Sequence, residues 1–278
     1  MGDSGQWRGL DMLNVGFARG VLAVMVATVL SACVTLPPTS TPNPQDPWES
    51  WNRGVYKFND VLDRAVAKPV AQTYVKVVPE PIRTGVTNFF ANIETPTVMV
   101  NDALQGKFLA ALTDLGRFVL NTTVGLAGFL DPASAAGLAH NDEDFGQTLG
   151  KWGVPAGPFV ELPVLGPSDL RDAPSRAVDS YTNPRQYIKN PWIKYGLYLP
   201  DLTDRRARLL SLDETLAHTY DPYAFVRDAY LQRRAYMVSD GKVTDEPLED
   251  PGADVPTDTS PADSKTKTRP EPAPRNQP

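Results

Sequence analysis

The chain has 278 residues, a formal net charge of −6, and 41% hydrophobic against 22% charged residues. That charge balance argues against nucleic acid as a partner and against a polybasic route to anionic lipid. A single cysteine excludes an internal disulfide and any CxxC metal or redox pair.

From the start, residues 1–32 read as a signal peptide. Arg19 precedes an apolar run from Val21 to Leu30, far short of the roughly 20 residues a transmembrane helix needs. Met12 as the true start would remove Asp3, Arg8 and Asp11 and leave a conventional basic leader. Leu30-Ser31-Ala32-Cys33 is the pattern a lipoprotein signal peptidase reads. Cleavage before Cys33 would give its thiol a diacylglycerol and its new amino group a further acyl chain. At about 0.8 kcal/mol per buried CH₂, that is a stable anchor. The bland alternative is an uncleaved N-terminal anchor with a chance cysteine. Val34 stands where an aspartate would retain a lipoprotein in the inner membrane, so the expected destination is the outer membrane, facing the periplasm.

Composition then divides the chain. Residues 33–45 form a lipidated, flexible linker, and 46–239 one folded domain. Residues 240–278 are a Pro-rich acidic tail with too little apolar surface to fold.

The domain opens on Asp46-Pro47-Trp48-Glu49, which offers an N-cap aspartate, a first-turn proline and a capping-box glutamate. Trp48, Trp51, Val55, Phe58, Leu62 and Ala65 then follow helical spacing, expected to face the core, with Asn52, Arg53, Asn59, Asp60 and Asp63 off the stripe. Pro69 is expected to end this helix. Pro69, Pro79, Pro81 and Pro96 each head a helical segment, and Phe108, Leu109, Leu112, Leu115 and Val119 mark a longer helix. No sustained alternation of polar and apolar residues occurs, so the fold class is all-α, one domain of many short helices.

Val124 to Ala139 is uncharged except for Asp131 and reads either as core or as a segment at a hydrocarbon boundary. The stretch 145–168 is dense in Gly and Pro and is expected to be a long ordered loop. It holds no GxxxxGK[ST] phosphate cradle. Only His140 and His218 fall in the domain, with no HExxH and no GxSxG. His140 beside Asn141, Asp142, Glu143 and Asp144 reads as an exposed acidic turn, because the spacing lacks a calcium loop's glycine and distal glutamate. No metal, cofactor or catalytic residue is expected.

Several stretches together resemble the MlaA (VacJ) lipoprotein family. They include Asp46-Pro47-Trp48-Glu49-Ser50-Trp51-Asn52-Arg53, Val98 through Gly106, Arg117 through Gly125, Phe145-Gly146-Gln147-Thr148-Leu149-Gly150, Gly157 through Pro163, and Asp221-Pro222-Tyr223. The resemblance spans nearly the whole domain in order. It implies a flat helical ring around an amphipathic channel, lying in the inner leaflet of the outer membrane. Such a protein removes mislocalised phospholipid from the outer leaflet and passes it to a soluble periplasmic carrier. It works beside a trimeric outer-membrane porin and carries out no catalysis. Asn59 and Asp60 are then expected near the pore, and the Gly150–Gly157 loop, with Gly153, as a gate. One departure is Pro155, inside Gly153-Val154-Pro155-Ala156-Gly157, where the family usually has glycine. Proline fixes φ, so gating would rest on Gly153 and Gly157. Two other readings stand beside this one: a structural lipoprotein scaffolding a β-barrel, and a periplasmic hydrolase with spatially paired carboxylates.

Overall fold

The computed structural model describes residues 43–242. The leader, Cys33 and the tail from residue 243 lie outside the described residues.

Helix α1 (Glu49–Leu62) runs through a π turn at Asp63–Ala67 into α2 (Lys68–Val77). Pro69 therefore does not end the helical run. In the widened turn the Lys68 N–H reaches back to the carbonyl of Asp63. Such a turn accommodates a proline that would otherwise break the ladder. The helix start also differs from the sequence expectation. Trp48 occupies the cap position and no side chain caps it. Asp46 instead turns inward, 2% exposed, and accepts from Asn52, Tyr223 and Arg227.

Helix α3 (Glu80–Leu104) is 25 residues long with Pro96 inside it, so the segments expected before and after that proline are one element. It makes the most extensive helix–helix contact of the molecule with α4 (Phe108–Thr123). After α4 the chain folds back through residues 124–130. There Leu126, Ala127 and Gly128 all take positive φ, and Phe129 lands on Gly85, where an added Cβ would lie 2.3 Å from the ring. Helix α5 (Pro132–Ala135) closes this turn, with Asp131 as its cap.

The Gly/Pro-rich stretch is more ordered than its punctuation predicts. It begins with helix α6 (Phe145–Lys151), capped by Asp144 through the N–H of Gln147. Its glycines serve close packing, since a Cβ on Gly146 would meet Asp172 at 2.3 Å and one on Gly150 would meet Arg171 at 2.7 Å. Strands β1 (Phe159–Leu162) and β2 (Gly166–Asp169) follow as an antiparallel hairpin, Phe159 opposite Asp169 and Leu162 opposite Gly166. The remainder is helical: α7 (Asp172–Thr182), a 3₁₀ turn at Pro184–Tyr187, α8 (Pro191–Arg208), α9 (Asp213–His218) and α10 (Pro222–Val238). The fold of the described residues is thus α-helical with one small hairpin.

Polarity is distributed the wrong way round for a water-soluble domain. Among the described residues seven apolar side chains are buried, against twenty-two polar or charged ones. The stripe on α1 shows why the core-facing expectation fails. Trp48, Trp51, Phe58 and Leu62 are exposed, while Val55 and the neighbouring Asn52, at the inner edge of the stripe, are buried. Burial follows the amides because they, and not the stripe, meet the hairpin. Large exposed apolar surface rimming a polar interior marks an interaction or membrane face.

Candidate functional site: a polar interior behind an apolar surface

Four helices carry the outward apolar surface. On α4, Phe108, Leu109, Leu112, Leu115 and Val119 project together, and Val124, Leu126 and Leu130 extend them into the following turn. On α1 and α2 the stripe continues from Trp51 through Phe58, Val61 and Val66 to Val70. On α8, Trp192, Ile193, Leu199 and Leu202 do the same, Trp192 at 85% exposure. Every tryptophan among the described residues is exposed, the disposition found where rings sit at a membrane–water boundary. No helix among the described residues is long and apolar enough to cross a membrane.

Behind that surface the polar groups are knit into networks. Asp114, Arg117 and Asn121 repeat at helical spacing on the inner face of α4. Arg117 donates to both oxygens of Asp131, to Ser134 and to the carbonyl of Leu138, and Asn121 adds a bond to Asp131. Burial would raise the Asp131 carboxyl, but the bonds from Ser134, Asn121 and Arg117 outweigh it and hold it down at about 2. Across the molecule, Arg234 spans Asp144 and Asp172, and Tyr230 donates to Asp172 at 2.8 Å. Arg185 is flanked by Glu94 and Asp201.

Buried carboxyls without full compensation stand apart. Asp102 on α3 is pushed up to about 8 by burial and by Asp114. Glu161 on β1 is pushed up to about 7 by burial, against the opposing bond from Asn59. Desolvation favours the neutral form of each.

Of the residues singled out in the sequence, Asn59 has the most definite place. Its amide donates to Glu161 at 2.9 Å and to the Leu162 carbonyl at 3.0 Å, and accepts from the N–H of Val164 at 2.7 Å. It thereby fixes the hairpin to α1, at a turn where Val164 takes φ 67°. Asp60 pairs with the exposed Arg64 one helical turn on. Gly150 lies within α6 against Arg171 and Val238, whereas Gly153, at φ 90°, has open space where its Cβ would be. Gly157, at φ 71°, packs against Leu170. The structure thus brings Asn59 to the hairpin, while Gly150 through Gly157 enter the same hairpin from the other side. The acidic turn at His140 is partly engaged: Glu143 bonds Lys107 and Gln105, and Asp142 stays exposed opposite Arg233. Among the described residues no group of three or more His, Cys, Asp or Glu side chains could hold a metal.

The buried network was not anticipated in the sequence. Its signal was present nonetheless, because Asp114, Arg117 and Asn121 repeat at helical spacing opposite the apolar stripe of α4, and Asn52 and Asn59 repeat along the edge of the stripe of α1.

A helical fold with a polar interior and outward apolar faces is the pattern of a protein that presents apolar surface to a partner or a membrane. The chain matches the MlaA lipoprotein family over residues 44–237 and belongs to that family. It is 39% identical over 212 residues to the intermembrane phospholipid transport system lipoprotein MlaA of Escherichia coli (strain K12), covering 75% of this chain and 83% of the relative. The similarly named protein of Haemophilus influenzae is 35% identical over 231 residues, covering 80% and 91%. A solved structure described as the structural basis for maintenance of bacterial outer membrane lipid asymmetry superposes with a TM-score of 0.63 at 38% identity, covering 69% of this chain and 98% of that one.

Proposed function

We propose that this chain is an outer-membrane lipoprotein of intermembrane phospholipid transport, anchored through Cys33, that removes mislocalised phospholipid from the outer leaflet. The observation that carries this reading is the inverted polarity, with apolar faces of α1, α4 and α8 outward and a charged interior behind them. Those faces would sit in hydrocarbon, where acyl chains remain, while a head group passes along polar side chains through an amphipathic channel. Burying exposed leucines and valines in lipid stabilises by about 25 cal/mol per Å². Unsatisfied polar groups in lipid are costly, and the inward networks pair most of them. The family membership and the names of the relatives support phospholipid as cargo. Transport of this kind needs no catalytic group.

In this reading Asn59 and Asp60 border the path, and Gly150 to Gly157 form the gate, with Gly153 its freest point. Outward movement of phospholipid from the channel then requires a soluble periplasmic carrier, and a trimeric porin is the expected neighbour in the membrane.

The test is surface-exposed phospholipid in cells lacking the gene, complemented with wild type or Cys33→Ala. Accumulation without the protein, reversed by wild type and not by Cys33→Ala, supports the reading. Unchanged surface phospholipid in every strain overturns it.

A further inference from the structure

Arg83 is the arginine that the fold leaves alone. Thirteen arginines fall among the described residues. Eleven pair with a carboxylate, and Arg176 donates to the carbonyls of Leu165 and Pro167. Arg83 makes neither kind of contact among the described residues, and its Nε is buried with no acceptor. A buried donor without a partner is costly, and more so on a charged group.

Its surroundings explain why the fold does not satisfy it. Arg83 sits in the opening turns of α3, whose N-terminus has no side-chain cap. That end of a helix disfavours a cation and favours an anion. One turn further along the same face, Thr87 donates to Asp204 at 2.7 Å. Asp204 also accepts from Tyr74 at 3.2 Å and pairs with Arg208 at 3.4 Å. The carboxylate of this neighbourhood, where α2, α3 and α8 pack together, is therefore already engaged. Arg83 is close enough for its charge to act on the Tyr74 phenol, yet it has no anion of its own. Ile82 and Val77, flanking it across the turn between α2 and α3, are exposed apolar side chains.

We propose that Arg83 holds the phosphate of a phospholipid head group, with the acyl chains leaving over Val77 and Ile82. This rests on the proposed transport function and names the group by which the cargo is recognised. The ligand phosphate supplies what carboxylates supply to the other arginines, and the guanidinium fork matches it with two parallel bonds.

The test titrates the full chain in detergent micelles with dihexanoyl phosphatidylglycerol, with dihexanoylglycerol, which lacks the phosphate, and with inorganic phosphate. Wild type is expected to prefer the phospholipid to the diacylglycerol by about tenfold or more, as one charge-assisted contact supplies. Arg83→Gln should bring the ratio close to one without lowering the melting temperature, because no protein contact is lost, and Arg83→Lys should keep part of it. A ratio unchanged in Arg83→Gln, or a marked fall in its melting temperature, overturns the assignment while leaving transport intact. Inorganic phosphate binding as tightly as the lipid overturns the lipid source. If wild type binds neither lipid, the transport reading fails first and the assignment with it.

Discussion

Two connections in this molecule share a composition rich in small residues and proline, residues 124–139 after α4 and residues 152–166 around the hairpin. The first is held by charge: Arg117 spans Asp131, Ser134 and the Leu138 carbonyl, with Asn121 behind it. The second is held by neutral amides, Asn52 bridging the Phe159 carbonyl and Glu161 N–H, and Asn59 gripping Leu162 and Val164. Between Lys151 and Pro155 the second connection is exposed, though Trp152 donates to the Leu104 carbonyl and the Val154 N–H to that of Leu149. The difference separates a turn locked by charge, whose apolar side chains can be presented to lipid, from a hairpin reached through an exposed segment.

Removing Arg117 should break the first connection outright. Arg117→Ala would leave Asp131 without its cation and the Leu138 carbonyl without its side-chain donor behind α4, and is expected to cost about 3 kcal/mol or more. Chemical denaturation in detergent reads this directly. Asp131 gives the pH counterpart. Its folded carboxyl, held at about 2, lies below the unfolded value, so its contribution is full above about pH 4. That stability should drain as pH falls through 2. An Arg117→Ala variant as stable as wild type would mean the turn is held by apolar packing alone.

In the second connection the largest single loss should come from Asn52, which is fully buried and uses both ends of its amide. Asn52→Ala is expected to cost about 2–3 kcal/mol through the groups it leaves unsatisfied. Denaturation compared with Asn59→Ala, expected nearer 1–2 kcal/mol because Asn59 is less enclosed, would rank the two clamps.

Glu161 sharpens the contrast through pH. Its folded carboxyl, at about 7, lies above the unfolded value near 4.5, so the native state binds the extra proton between these two limits. Stability is therefore full below about pH 4.5 and falls as pH rises through 7. Glu161→Gln should remove that slope and be the more stable protein at pH 8, by about 1–3 kcal/mol. Melting curves from pH 5 to 8 for both variants check it, and parallel slopes would refute the assignment.

The helices of this fold were legible in the sequence because apolar spacing reports a helix whether its stripe faces a core or a lipid. Which way the stripe faces was not legible from spacing alone, and Trp51 and Phe58 were accordingly assigned inward. The decisive information lay at the edge of the stripe, where Asn52 and Asn59 sit seven residues apart and meet partners more than a hundred residues away. Asp46 misled for a related reason. Its local capping chemistry was sound, but Tyr223 and Arg227, from the far end of the chain, compete for the same carboxylate. Likewise, the glycines of 145–151 were read as breakers when two of them make room for Asp172 and Arg171. Arg83 carries no sequence signal at all, since an arginine's lack of a partner exists only in three dimensions.

The smallest expected effect bears most directly on the gate. Pro155 is exposed and lies between Gly153, with open space about it, and Gly157, packed against Leu170. Pro155→Gly removes a fixed φ from an exposed position, and by widening the unfolded ensemble should cost under about 1 kcal/mol. Gly153→Ala works in the opposite direction, restricting a residue whose φ of 90° an alanine adopts poorly, at about 1 kcal/mol. If residues 150–157 gate lipid passage, these near-silent changes should alter surface phospholipid in opposite senses, Pro155→Gly loosening the gate and Gly153→Ala stiffening it. Equal phospholipid levels in both variants and wild type would assign the loop a purely structural role. The hairpin clamped by Asn52 and Asn59 would then be the part to test next, because Asn59 joins α1 to the buried Glu161 there.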